Sequence, residues 1–134
     1  MRFIYGIFTG LVTSGLLIIM AQMISEGIFP LPPDIDTSDK VLLGEWMGGL
    51  PPQYFLILAI SHATGAFAAG LISSLVNENG RMAAGMTAFI ILFVLVMIFL
   101  FTYDFPVWFV ITDTVATAIL GFTGVIIGSA RYVG

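Results

Sequence analysis

Two ionisable side chains stand inside long apolar runs of this chain and could do chemistry there. They are His62, in the run Tyr54–Val76, and Asp113, in the run that opens at Pro106. His62 is the only histidine. An aspartate at the centre of an apolar helix costs roughly 2.5–3.5 kcal/mol on membrane-insertion scales, so such residues tend to have partners or purposes. A histidine beside a carboxylate can hold a proton, orient a ligand or lock two helices in register. Gln22 and Glu26 add an amide and a second carboxylate on one helix face, four residues apart. Counting about 1.5 Å of rise per residue, His62 lies roughly 12 Å and Asp113 roughly 10 Å from the start of their helices. Gln22 and Glu26 reach a similar level from the opposite direction. Gln22, Glu26, His62 and Asp113 are therefore expected to form one polar cluster, flanked by Ser61, Thr64, Thr112 and Thr114. The competing reading of His62 and Asp113 is structural. Interhelical hydrogen bonds in membranes average only about 0.6 kcal/mol, so such a pair specifies an arrangement more than it stabilises one.

Several kinds of chemistry lack their residues. There is no cysteine, which excludes disulfides, thiolate-bound zinc and iron–sulfur clusters. No nucleophile elbow, HExxH, P-loop or dinucleotide fingerprint occurs. Ser61 and His62 are adjacent on a helix and point about 100° apart, so they do not form a dyad. His62, Asp113 and Glu26 lack the spacing of a metal motif, and no metal or cofactor is expected. The net charge is −4 and no basic patch exists, so nucleic acid is not an expected partner. The chain is read as a non-enzyme.

The elements that must position these residues are apolar helices. Of the 134 residues, 59% are hydrophobic and 9% charged, with a mean hydropathy of +1.09. Soluble domains carry roughly 25% charged residues, so the solvent of this chain is expected to be lipid. Four runs, 3–25, 54–76, 82–103 and 106–130, each supply the roughly 20 residues a span requires. The first is too long for a signal-peptide core of about 7–15 residues and is read as a retained helix. The predicted fold is all-α, a polytopic bundle of four transmembrane helices in a single membrane domain, 1–134.

The long connection, 27–53, opens on Phe29-Pro30-Leu31-Pro32-Pro33, where proline forbids regular helix. It then turns acidic, with Asp34, Asp36 and Asp39. Ser38 or Asp39 could cap a short interfacial helix through Trp46 or Met47. Trp46, Tyr103 and Trp108 read as anchors at the headgroup level.

Small residues predict where the helices pack. Gly6, Gly10 and Ser14 form one ladder; Gly65 and Ala69 lie below His62; Gly124 and Gly128 lie below Asp113. Such positions let backbones approach closely in lipid. The first, second and fourth spans are thus expected to make the tight contacts. The third, with no polar side chain from Ile90 to Phe101, is expected to be the most lipid-exposed. Arg2, Arg81 and Arg131 fall on one side of a four-span topology. The positive-inside rule makes that side, with both termini, cytoplasmic, in a bacterial inner membrane by default.

Three stretches, Phe29-Pro30-Leu31-Pro32-Pro33, Gly65-Ala66-Phe67-Ala68-Ala69-Gly70 and Pro106-Val107-Trp108-Phe109, resemble a loose group of small bacterial four-helix membrane proteins with no assigned activity. The resemblance implies the fold and nothing about mechanism. Two functions follow as expectations. The first is a non-catalytic accessory or structural subunit, partnered by lipid and by other membrane subunits or copies of itself. The second is a binder or transporter of a small molecule, lipid or ion at the cluster around His62 and Asp113.

Overall fold

The computed structural model describes residues 2–36 and 38–130, which form five helices and no strand. They are α1 (Arg2–Ile28), α2 (Lys40–Gly48), α3 (Pro52–Val76), α4 (Arg81–Thr102) and α5 (Val107–Ala130). All but α2 are long and apolar enough to cross a membrane. Arg131 lies outside the described residues.

Local chemistry sets the ends. α1 runs to Ile28, past Ser25, and stops where Phe29 precedes Pro30, because proline bars α conformation in the residue before it. Glu26 is therefore helical and shares its face with Gln22. Of the two candidate caps of α2, Asp39 serves: its carboxylate accepts from the backbone N–H of Val41 at 3.0 Å and of Leu42 at 3.3 Å. Ser38 turns back and donates to Asp36 instead. α3 begins on Pro52, whose missing N–H has no helical partner to lose in a first turn. Gly80 enters α4 with φ of 66°, in the left-handed region that favours glycine.

α3 is the centre of the bundle. It packs against α1, α4 and α5, whereas α1 and α5 do not touch each other. The α1–α3 seam is antiparallel and built on the predicted ladder: Gly6 faces Asn77, Gly10 faces Ser73 and the Ala69 carbonyl, and Gly65 faces Ile18. Ser14 is fully buried beside it. The α3–α5 seam is parallel. A Cβ at Gly124 would fall on the Phe67 carbonyl, and one at Gly128 on Leu71 and Ser74. Only glycine permits approach this close.

The expectation for the third span is overturned. Within its most apolar stretch, 39% of α4 is buried, against 17% of α1 and 61% of α3. α1, not α4, is the most exposed long helix. α4 lays a continuous stripe, Ala84, Gly85, Ala88, Leu92, Val96 and Leu100, against its neighbours. α1 docks mainly on α3, through its ladder with Ile7, Leu11 and Ile18 beside it, and leaves Ile4, Phe8, Ile19 and Met23 outward. The small residues in the first turns of α4, Ala83, Ala84, Gly85 and Ala88, mark a place for close packing in the sequence, but beyond them a helix apolar all round has no mark for the side that packs, so Leu92, Val96 and Leu100 are indistinguishable from their lipid-facing neighbours before folding.

The two ends of the bundle differ. One carries Arg2, which pairs with Glu78 at 2.6 Å, and Arg81, whose Nε donates to the Asn77 carbonyl at 2.9 Å. The other end carries α2, the proline-rich segment and the turn at Asp104. There α2 folds over the bundle: Met47 is buried, Leu43 and Trp46 are half-buried, and Gly44 backs onto Asp104.

Candidate functional site

His62 and Asp113 meet. The parallel run of α3 and α5 brings Nδ1 of His62 to 2.5 Å from Oδ2 of Asp113, and in the tautomer with its proton on Nδ1 the imidazole donates to the carboxylate. The second carboxylate oxygen accepts from the Thr117 hydroxyl at 3.0 Å, one helical turn further along α5. His62 is 3% exposed, and Asp113 and Thr117 are not exposed at all. Each oxygen of the buried carboxylate thus has a donor, as a charge removed from water requires. Nε2 of His62 has no hydrogen-bond partner among the described residues. The ring meets Phe99 edge-on, at 5.5 Å between centroids and 80° between planes.

Gln22 and Glu26 do not join this pair. They line a separate hollow of about 240 Å³ beneath α2. Leu58, one turn before His62 on α3, and Phe99 of α4 both line that hollow and stand between it and the histidine. The predicted cluster therefore divides into a buried His62–Asp113–Thr117 chain and an open pocket carrying Gln22 and Glu26. The reason is topological. In the antiparallel seam Ile18 stands opposite Gly65, so Glu26, two turns beyond Ile18, lies nearer the α2 end than His62, and α1 has no contact with α5 to bring it to Asp113.

Six of the thirteen lining residues are aromatic, and the sequence reading placed none of them in a site. Phe29, Trp46 and Tyr54 form one set of rings. Phe29 and Trp46 each meet Tyr54 edge-on, at 5.7 Å and 6.1 Å. Phe99, Tyr103 and Phe105 form a second set, with centroids 5.3–6.1 Å apart. Both sets line the pocket. Trp46 and Tyr103, expected to point at headgroups as anchors, are turned into this hollow. Trp108 does keep an exposed position, at 45%. The available signal was the gathering of these rings on the two connections that emerge at one end of a four-span topology.

Among the described residues Glu26 is the only carboxylate on the pocket wall, and no lysine or arginine lines it. Its carboxylate makes no hydrogen bond or ion pair among the described residues. Gln22 and the buried Ser25 stand on the same α1 wall. No group of three histidine, aspartate or glutamate side chains converges to hold a metal among the described residues. A second hollow, between α1 and α3, is almost wholly apolar, lined by Leu17, Ile24, Ile57 and Ile60 beside Ser61 and Thr64.

No protein-family model matches the chain, and no curated protein or solved structure is significantly similar to it.

Proposed function

We propose that this chain is a multi-pass membrane protein that binds a small molecule in the pocket beneath α2. In this reading the four long helices cross the bilayer and α2 lies at the headgroup level. Large apolar side chains such as Phe8, Ile98, Phe101 and Ile119, each more than half exposed, then meet lipid. Arg2 and Arg81 share the end opposite α2. By the positive-inside rule that end, with both termini, faces the cytoplasm and the pocket faces outward, with a bacterial inner membrane as the default setting.

The observation that carries the binding reading is the pocket itself. It combines an apolar, ring-lined wall with a few convergent polar groups, which is the make-up of a small-molecule site. Glu26 and Gln22 are the ligand-facing polar groups. His62, Asp113 and Thr117 act from beneath: they hold α3 against α5 and so keep Leu58 and Phe99 in place as the pocket floor. Native mass spectrometry of the gently extracted protein tests this. A retained non-protein species is expected, and Leu43→Trp, which fills the pocket, should abolish it. Absence of any such species, or its persistence in Leu43→Trp, refutes the reading.

The accessory-subunit reading has one observation of its own, the thin coverage of α1, of whose most apolar stretch only 17% is buried. The same spectra test it, since a mass explained by this chain plus another polypeptide would support it and the chain alone would count against it.

A further inference from the structure

The pocket wall is specific enough to name a class of ligand. We infer that the site beneath α2 takes an organic cation of the substituted-ammonium class, with Glu26 as its counter-charge and the surrounding rings as its cage. This inference rests on the binding reading above.

Glu26 brings a carboxylate to a pocket with no basic side chain on its wall. An anionic ligand would meet that carboxylate without compensation. A cationic ligand would supply the counter-ion that Glu26 lacks among the described residues.

The rings decide the kind of cation. Each aromatic face carries negative potential, and a cation within about 6 Å of a ring centroid gains about 0.5–2 kcal/mol, more when desolvated. In the first set the planes of Phe29 and Tyr54 stand at 89° and those of Trp46 and Tyr54 at 71°. In the second set, Tyr103 stands at 64° to Phe99 and at 73° to Phe105. Rings held at steep angles around one hollow offer a cation several walls, as in the aromatic boxes that recognise quaternary ammonium groups.

A metal ion would need a shell of oxygen ligands at close range. This wall offers mostly carbon, and no metal-binding group of three acidic or histidine side chains forms. A primary ammonium carries three N–H donors that must each find an acceptor. A fully methylated ammonium carries none. Its methyl groups suit apolar rings and its charge suits Glu26. Size agrees as well. Pockets for drug-sized ligands run from roughly 300 to 1,000 Å³, and about 240 Å³ fits a group the size of a choline head. Such a head could belong to a free solute or to a phosphatidylcholine lipid. The chemistry recognised is the same.

The test uses the full chain carrying Trp108→Phe, so that emission comes from Trp46 on the pocket wall. Tetramethylammonium and choline are titrated beside 3,3-dimethyl-1-butanol, the neutral isostere of choline. Both cations should perturb Trp46 saturably and bind at least tenfold more tightly than the isostere. Glu26→Gln should weaken choline at least fivefold and leave the isostere unchanged. Glu26 is exposed, so this variant should fold, and Tyr54→Leu supplies an independent loss of roughly tenfold. Equal binding of choline and its isostere overturns the cation class while leaving a small-molecule pocket standing. So does silence from all three probes when the extracted protein still retains a species that Leu43→Trp removes. Silence with no retained species overturns both readings. Nanodiscs separate the sources. Weaker choline binding in phosphatidylcholine than in phosphatidylglycerol discs supports the lipid head, and equal binding supports a free cation.

Discussion

His62→Ala is the most informative single change in the buried pair, because two magnitudes compete there. If the 2.5 Å contact with Asp113 were an ordinary interhelical hydrogen bond, its loss would cost about 0.6 kcal/mol and at most about 1.7 kcal/mol. Asp113 is fully buried, however, and His62 supplies one of its two donors. With the imidazole as a neutral donor the charge of the pair is the carboxylate's, and stranding a buried charge typically costs about 3–5 kcal/mol, because it is left uncompensated. The larger figure should govern here. Asp113→Asn should then cost under about 1 kcal/mol. The amide oxygen still accepts from Nδ1–H, and the amide N–H₂ can donate to a Thr117 hydroxyl rotated to accept. The decisive variant is the double one. With Asn at 113, loss of the histidine strands an amide rather than a carboxylate, so His62→Ala should recover about 2 kcal/mol on adding Asp113→Asn. Reversible unfolding in mixed micelles, analysed as a double-mutant cycle, reads these differences. Additive single costs near 0.6 kcal/mol would refute the argument and reduce the pair to one more helix contact.

Two further outcomes test the packing and the connection. Gly124→Ala places a methyl on the Phe67 backbone and should destabilise by roughly 1–3 kcal/mol; Gly15→Ala in α1 meets nothing within 4 Å and should be neutral or stabilise by up to about 1 kcal/mol, so equal effects in the same assay would refute the close α3–α5 approach. At Asp36 the Ser38 hydroxyl, and after it the Ser38 backbone N–H, holds the carboxyl below its ordinary value. A depressed carboxyl favours the folded turn above the ordinary carboxylate range, and that preference is lost as pH falls through the folded value. Ser38→Ala should move the Asp36 titration upward by NMR, and an unmoved midpoint would refute the assigned cause.

How much of this was legible beforehand depends on how far apart the deciding residues stand. The long apolar helices, a cap at Ser38 or Asp39 and the break at the proline segment were readable, because each follows from neighbours within a few residues; which of the two caps serves, and the run of α1 past Ser25 to Ile28, were not. The small-residue ladders were readable too, since i, i+4 spacing marks a helix face without reference to its partner. The meeting of His62 and Asp113 could be anticipated from depth alone, because two parallel helices carry equal counts to equal levels. Depth did not say that Glu26 and Gln22 would part from them. That needed the positions of α1 and α5 around α3, which no local pattern encodes.

Sequence by itself determined what each segment is: an apolar helix of spanning length, a capped short helix, a proline-broken connection. Tertiary structure alone decided which side of each helix is covered and what the connections enclose. Leucine, valine and phenylalanine are equally at home against lipid and against protein, so the buried stripe of α4 and the bare flank of α1 look alike until shapes are matched. Trp46, Tyr54 and Tyr103 could have faced outward on the same hydropathy. They line one hollow because α2 folds back over the bundle, and the angles at which their rings then meet are set by packing between elements distant in the chain.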